Sequence, residues 1–245
     1  MIPSVKGAFG RQARYRHGPL PVLRTAHPIS LDFLQLSSIA HKFNLLQYLT
    51  APGVSGVLAD RQLPAWVGAY LPRQGAHRAQ LVELSDGGRL IVHLHREKDG
   101  DVPPRPVVQQ LHAHLWMIER SCGEVESPHT LNSNLELVGQ ALKSHCAVDL
   151  GRESSIIVDA LSSSRDATLR ELAAHLEHTL GRQDDLKTTV RVVVARLLFK
   201  HRLSVNLADS PWSDQSRPVW GGHGVGYCPP IPSGAGGFFL AGEAA

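Results

Sequence analysis

The reading of the chain turns on residues 77–95, His77-Arg78-Ala79-Gln80-Leu81-Val82-Glu83-Leu84-Ser85-Asp86-Gly87-Gly88-Arg89-Leu90-Ile91-Val92-His93-Leu94-His95. Two runs of strand-forming residues, 79–84 and 89–95, flank Asp86-Gly87-Gly88. A polar, glycine-rich break between two such runs predicts an antiparallel hairpin with a tight loop. Working outward, residues 54–58 and 65–71 also read as short strands separated by turn residues. Upstream, Leu36, Ile39, Ala40, Phe43, Leu46 and Leu49 recur at helical spacing, which predicts a helix over 31–49 that Pro52-Gly53 stops. Downstream, 99–106 is charged and proline-rich and reads as a loop, while 107–120 and 135–143 read as helices. Residues 1–30 lack periodicity and carry several prolines, so they read as an irregular arm.

A second unit begins near residue 150. Thr168-Leu169-Arg170-Glu171 has the spacing of a capping box, and Leu169, Leu172, Ala173, Leu176 and Leu180 follow on one helical face. Gly181 ends that helix. Residues 185–201 form a second amphipathic helix with Val190, Val193, Val194, Leu197 and Leu198 as its apolar stripe, and 203–207 reads as a strand. Two helices, a turn and a strand suit a small winged helix-turn-helix. The serine run 162–164 lacks the context of an activated nucleophile and reads as loop. Residues 221–245 are rich in glycine and proline and read as a flexible tail. Their glycines do not make a phosphate-binding loop, because the lysine, the preceding strand and the following helix are missing.

Composition narrows the classes. The chain has 245 residues, 42% hydrophobic and 19% charged, which fits a soluble globular protein with a sizeable core. No apolar run approaches the ~20 residues of a membrane span, and no secretory signal is visible, so a cytoplasmic protein is expected. Cys122, Cys146 and Cys228 are sparse and form neither a disulfide framework nor a zinc motif. The net charge of +3 permits nucleic-acid binding without arguing for it. Its distribution is more informative: Lys6, Arg11, Arg14, Arg16 and Arg24 precede the first acid, Asp32. Such an arm is either a phosphate-contacting segment or a soluble tail.

Four stretches carry a resemblance to a known family. They are Ser37-Ser38-Ile39-Ala40-His41-Lys42-Phe43, Asp60-Arg61-Gln62-Leu63-Pro64-Ala65-Trp66, the hairpin from His77 to His95, and 203–207 followed by Ser210-Pro211-Trp212-Ser213-Asp214. In this order they resemble the TnsA-type endonuclease subunits of bacterial transposons, over roughly residues 30 to 220. The resemblance implies an α/β fold: a restriction-endonuclease-like mixed sheet flanked by helices (31–149), then a winged helix (150–220). It also implies a site in which a helix carboxylate, a strand aspartate and a glutamate two residues before a lysine hold magnesium, which activates water for phosphodiester cleavage. Here the corresponding positions are Ala40, Gln80, His93 and His95. The acids and the lysine are replaced, so no magnesium cofactor and no family-type nicking are expected.

What the resemblance then implies is an accessory transposition subunit. It would bind transposon-end DNA, a DDE-type transposase and an AAA-type ATPase, with no membrane partner. Candidate DNA contacts are Arg11, Arg14 and Arg16 in the arm and Lys187, Arg191, Arg196, Lys200 and Arg202 along the second C-terminal helix. A stand-alone winged-helix DNA-binding regulator is the alternative. His77, His93 and His95 raise a third possibility, an imidazole metal site. In a chain with 14 histidines, scattered side chains are the simpler reading, and no metal is expected.

Overall fold

The computed structural model describes residues 23–26, 33–59, 62–71, 79–96, 108–144, 148–164, 166–181, 185–232 and 238–239. In chain order the elements begin with β1 (Leu23–Ala26), β2 (Phe33–Leu36), α1 (Ile39–Leu49) and β3 (Val54–Ala59). A 3₁₀ turn (Ala65–Tyr70) follows, then β4 (Ala79–Leu84), β5 (Arg89–His95), β6 (Val108–His112) and β7 (Leu115–Ser121). The helices α2 (Cys122–Glu126), α3 (His129–Ser144), α4 (Gly151–Ser163), α5 (Leu169–Leu180) and α6 (Leu186–Phe199) come next. Four short strands close the order: β8 (Leu203–Ser204), β9 (Val219–Trp220), β10 (Ile231–Pro232) and β11 (Phe238–Phe239).

The architecture is α/β, with a five-stranded mixed sheet in the order β3-β4-β5-β7-β6. β4 and β5 form the expected hairpin. Gly87 takes φ 85°, which only glycine adopts without strain, and Asp86 Oδ1 accepts from the Gly88 N–H at 2.9 Å. β3 pairs antiparallel with β4, and β7 runs parallel to β5. Side chains alternate across this sheet, so its two faces build two layers. Val82, Leu90, Val92, Leu94 and Ile118 pack into the large core beneath α1. Ala79, Leu81 and Ile91 face the other way, against Leu63, Val67 and Leu71 around the 3₁₀ turn.

Several expectations are corrected. Within the helix expected over 107–120, residues 108–120 are not helical but form the greater part of the hairpin β6–β7. Both faces of that hairpin bury apolar groups, with Val108, Trp116 and Ile118 on one layer and Leu111, Leu115 and Met117 on the other. Two-sided burial fills the gaps of a period-two pattern and imitates a helix. Where a strand was expected over 65–71, residues 65–70 are a 3₁₀ turn, and the helix expected from 31 begins only at Ile39, after β2. β1, inside the supposedly irregular arm, pairs with β2. Residues 151–163 form a helix whose last turn includes Ser162 and Ser163, so most of the serine run is not loop.

In the C-terminal part the capping box at Thr168 and Glu171 forms as expected, and Gly181 closes α5 at φ 64°. α6 differs from a surface helix: nine of its residues, from Leu186 to Phe199, are buried. One hydrophobic cluster runs without a break from Leu36 to Ile231, so α4, α5 and α6 share a core with the sheet. Residues 221–232 are likewise packed and do not form a flexible tail. Val225 and Ile231 are buried, and the Val205 and Leu207 N–H groups donate to the Gly224 and Val225 carbonyls.

Candidate functional site

Beneath the sheet, α1 presents two polar residues, Asn44 and Gln47, one turn apart in a run of apolar ones, and both are fully buried. Residues three apart lie on one helical face, so both point at the same place on the sheet. There Gln80 projects from β4 and Arg120 from β7, each with 0% exposure. The Asn44 Nδ2 donates to Gln80 Oε1 at 2.6 Å, and Gln80 Nε2 donates to the His41 carbonyl at 2.8 Å. Arg120 Nη1 donates to Asn44 Oδ1 at 2.8 Å and to Gln47 Oε1 at 3.3 Å. Its Nε donates to Glu124 Oε1 on α2 at 2.9 Å, and its Nη2 to the Tyr227 hydroxyl at 3.0 Å. The network continues through Gln47 Nε2, which donates to Asn132 Oδ1 on α3 at 2.9 Å.

A buried charge is tolerable only when paired and hydrogen-bonded, and Arg120 meets both conditions. Burial works to lower its pKa, but the ionisable neighbours Tyr48, Tyr227 and Glu124 outweigh burial and hold the guanidinium above its usual value. Burial pushes the Tyr48 and Tyr227 hydroxyls up, against the opposing pull of Arg120. Arg120 also sits 5.8 Å from the centroid of the Tyr48 ring, and Tyr48 donates to the Pro230 carbonyl at 2.9 Å. The segment carrying Tyr227 and Pro230 is therefore the wall of this chamber on the C-terminal side.

Of the four positions matched to the family's catalytic set, Ala40 and Gln80 lie in the layer of this chamber. His93 and His95 do not join them. In the β4–β5 register His93 stands opposite Ala79 and Gln80 opposite Val92. His93 therefore faces the layer of Ala79 and Ile91, where its Nδ1 is 3.6 Å from Glu119 Oε1. His95, two residues on, shares that face. On the Gln80 side the β5 positions are Val92 and Leu94, both fully buried. The one-residue shift matters because a slip of one in a strand moves every side chain to the opposite face.

These residues do not fit magnesium. That ion takes hard, anionic oxygen donors. Asn44 and Gln80 are neutral and already bonded to each other, Val92 and Leu94 offer no donor atom, and Arg120 brings a positive charge to the same chamber. Among the described residues, no group of three His, Cys, Asp or Glu side chains is placed to hold a metal ion. His77 lies outside the described residues.

The candidate DNA contacts separate into three groups. Arg11, Arg14 and Arg16 lie outside the described residues. Lys187 and Arg191 both reach Asp214, at 3.4 Å and 2.9 Å, and Arg196 donates to the Val148 carbonyl at 2.9 Å. Partial burial of Asp214 works to raise its pKa, but Arg191 and Lys187 outweigh it and hold the carboxyl below its usual value. Lys200 and Arg202, at the end of α6, are exposed. Sequence reasoning missed Asn44, Gln47, Arg120, Glu124 and Tyr227. The available signal was two amides spaced one turn apart inside the otherwise apolar stretch 43–49.

Fold and chamber together define an α/β protein with a helix-flanked mixed sheet and a buried arginine-amide network. No known protein family, curated protein or solved structure matches the chain. Among the described residues, no helix is long and apolar enough to cross a membrane.

Proposed function

We propose that the chain is an accessory subunit of a DNA-transposition machine, resembling TnsA, on a restriction-endonuclease-like core that no longer cuts DNA. The observation that carries the reading is the Arg120 network. In a metal-dependent nuclease of this kind, carboxylates from a helix and two strands would converge on a cation. Here the helix α1 and the strands β4 and β7 converge on a guanidinium held by the Glu124 carboxylate, neutral amides and Tyr227. A fixed internal cation supplies the charge that holds such a cluster together, and it activates no water. The order α1, β3, β4, β5, with β7 parallel to β5, also agrees with that core.

In this reading the chain holds transposon-end DNA for a DDE-type transposase and an AAA-type ATPase, and strand cleavage falls to the transposase. The helices α4 to α6 with the β8–β9 pair stand for the winged-helix part. Because α6 is seated in the core, it fits poorly as a helix inserted in a groove, which weighs against a stand-alone regulator reading bases through it. Lys200, Arg202 and the basic arm remain the phosphate contacts. The test is a gel shift of transposon-end duplex across a salt series, with and without the transposase. Each phosphate contact should contribute about −0.9 to the slope of log K against log salt. No shift at low salt under either condition would sink the proposal.

A further inference from the structure

The segment 221–230, just after β9, crosses two seams of the fold. Along the first, the Gly221 N–H donates to the Arg202 carbonyl at 3.1 Å, and the Val205 and Leu207 N–H groups donate to the Gly224 and Val225 carbonyls at 3.1 Å and 2.9 Å. Along the second, Gly224 lies so close to the α1–β3 turn that a Cβ there would stand 3.4 Å from Pro52 Cδ. Beyond these seams, the Tyr227 hydroxyl accepts from Arg120 and the Pro230 carbonyl from Tyr48, so the same segment walls the buried chamber. His201 sits where the seams meet. It follows α6 at φ 53°, in the left-handed region, and its carbonyl accepts from His223 Nδ1 at 3.0 Å. Its ring bonds the backbone of Val54 at the start of β3. The ring Nδ1 is buried with no hydrogen-bond partner, so the neutral ring carries its proton on the other nitrogen.

We propose that 221–230 is an acid-released strap: protonation of His201 frees it from α6 and β8 and opens the Arg120 chamber to water. A second proton on the ring would make Nδ1 a buried donor without an acceptor and add a charge at the same place. Among the described residues no acid stands ready to compensate. Lys200 and Arg202 flank His201 on the chain, and His223 faces it from the strap. Neither 50–56 nor 84–85, around Val54, contains an ionisable side chain. Glu83 lies farther along β3, against Gly56, and Asp86 accepts from Gly88 inside its own turn. Burial, then the charge of His223, depresses the His201 pKa, and the bond to Val54 offsets this only in part. The neutral ring therefore holds the strap above the free imidazole value, and that hold is lost as pH falls through the folded value. Carrying the ring out to water relieves the charge, and it parts the seams that His201 joins.

The test is amide hydrogen exchange of the full chain at about pH 8 and about pH 5, expressed as protection relative to the free-peptide rate at each pH. Protection of Val205 and Leu207, whose N–H groups bond the strap, and of 221–230 itself should fall roughly threefold or more at the lower pH, while the β4–β5 hairpin keeps its protection. His201→Asn tolerates the left-handed backbone and does not titrate in this range, so its strap should be equally protected at both pH values. In the natural chain the midpoint of the loosening should coincide with the titration of the His201 ring protons followed by NMR. Equal protection of the natural strap at both pH values would overturn the proposal, as would a midpoint displaced from that of His201. The same fall in a folded His201→Asn variant, or a loss at β4–β5 in step with the strap, would overturn it as well.

Discussion

Replacing Arg120 with methionine is the perturbation most informative about the chamber. The guanidinium donates to Glu124, Asn44, Gln47 and Tyr227, and its side chain is fully buried. Methionine fills similar volume and donates nothing. Breaking a buried ion pair from one side costs about 3–5 kcal/mol, because the remaining partner is left uncompensated. Glu124 retains 29% side-chain exposure and can rehydrate, which places the cost near the lower end, about 3 kcal/mol. Against a total stability of about 5–15 kcal/mol, that is a large fraction. Urea unfolding followed by far-ultraviolet circular dichroism reads it directly. With a slope of about 3 kcal/mol per molar, the midpoint should fall by about 1 M. Arg120→Lys should recover only part of the loss, since a single ammonium cannot serve acceptors spread around a planar fork. A loss under about 1 kcal/mol for Arg120→Met would refute the argument, because it would mean that the guanidinium is solvated and not locked.

Two further outcomes follow from local geometry. Gly87→Ala should cost about 1 kcal/mol in the same urea experiment, because φ 85° at the hairpin turn places a Cβ against the following carbonyl. His201 holds φ 53° after α6, and burial, then the charge of His223, depresses its pKa. Its neutral form therefore contributes stability above the unfolded imidazole value, and that contribution is lost as pH falls through the folded value. His201→Asn, which tolerates this backbone region, should flatten the fall in thermal midpoint across the imidazole range.

How much was legible in the sequence varied with the kind of signal. The hairpin at Asp86-Gly87 and the capping box at Thr168 were readable because each rests on residues adjacent in the chain. β6–β7 was not, because its apolar residues serve two layers and so mask the strand period. The packing of Val225 and Ile231 was hidden by the glycines and prolines around them, which predict mobility when no distant partner is known. At the candidate site, Gln80 lies buried against α1, whereas His93 stands opposite Ala79 and faces the other layer, a difference of one strand position that sequence alone does not fix. Arg120 was invisible as a site residue because its partners come from α1, α2 and residue 227.

The most direct test of the central claim, a nuclease-like core held around an internal arginine and unable to cut, is scission of supercoiled plasmid by the purified chain with magnesium or manganese. The account predicts no nicking above the level seen in EDTA, with DNA still bound at low salt. Magnesium-dependent nicking by the natural chain that disappears in a folded Gln80→Ala variant would contradict it.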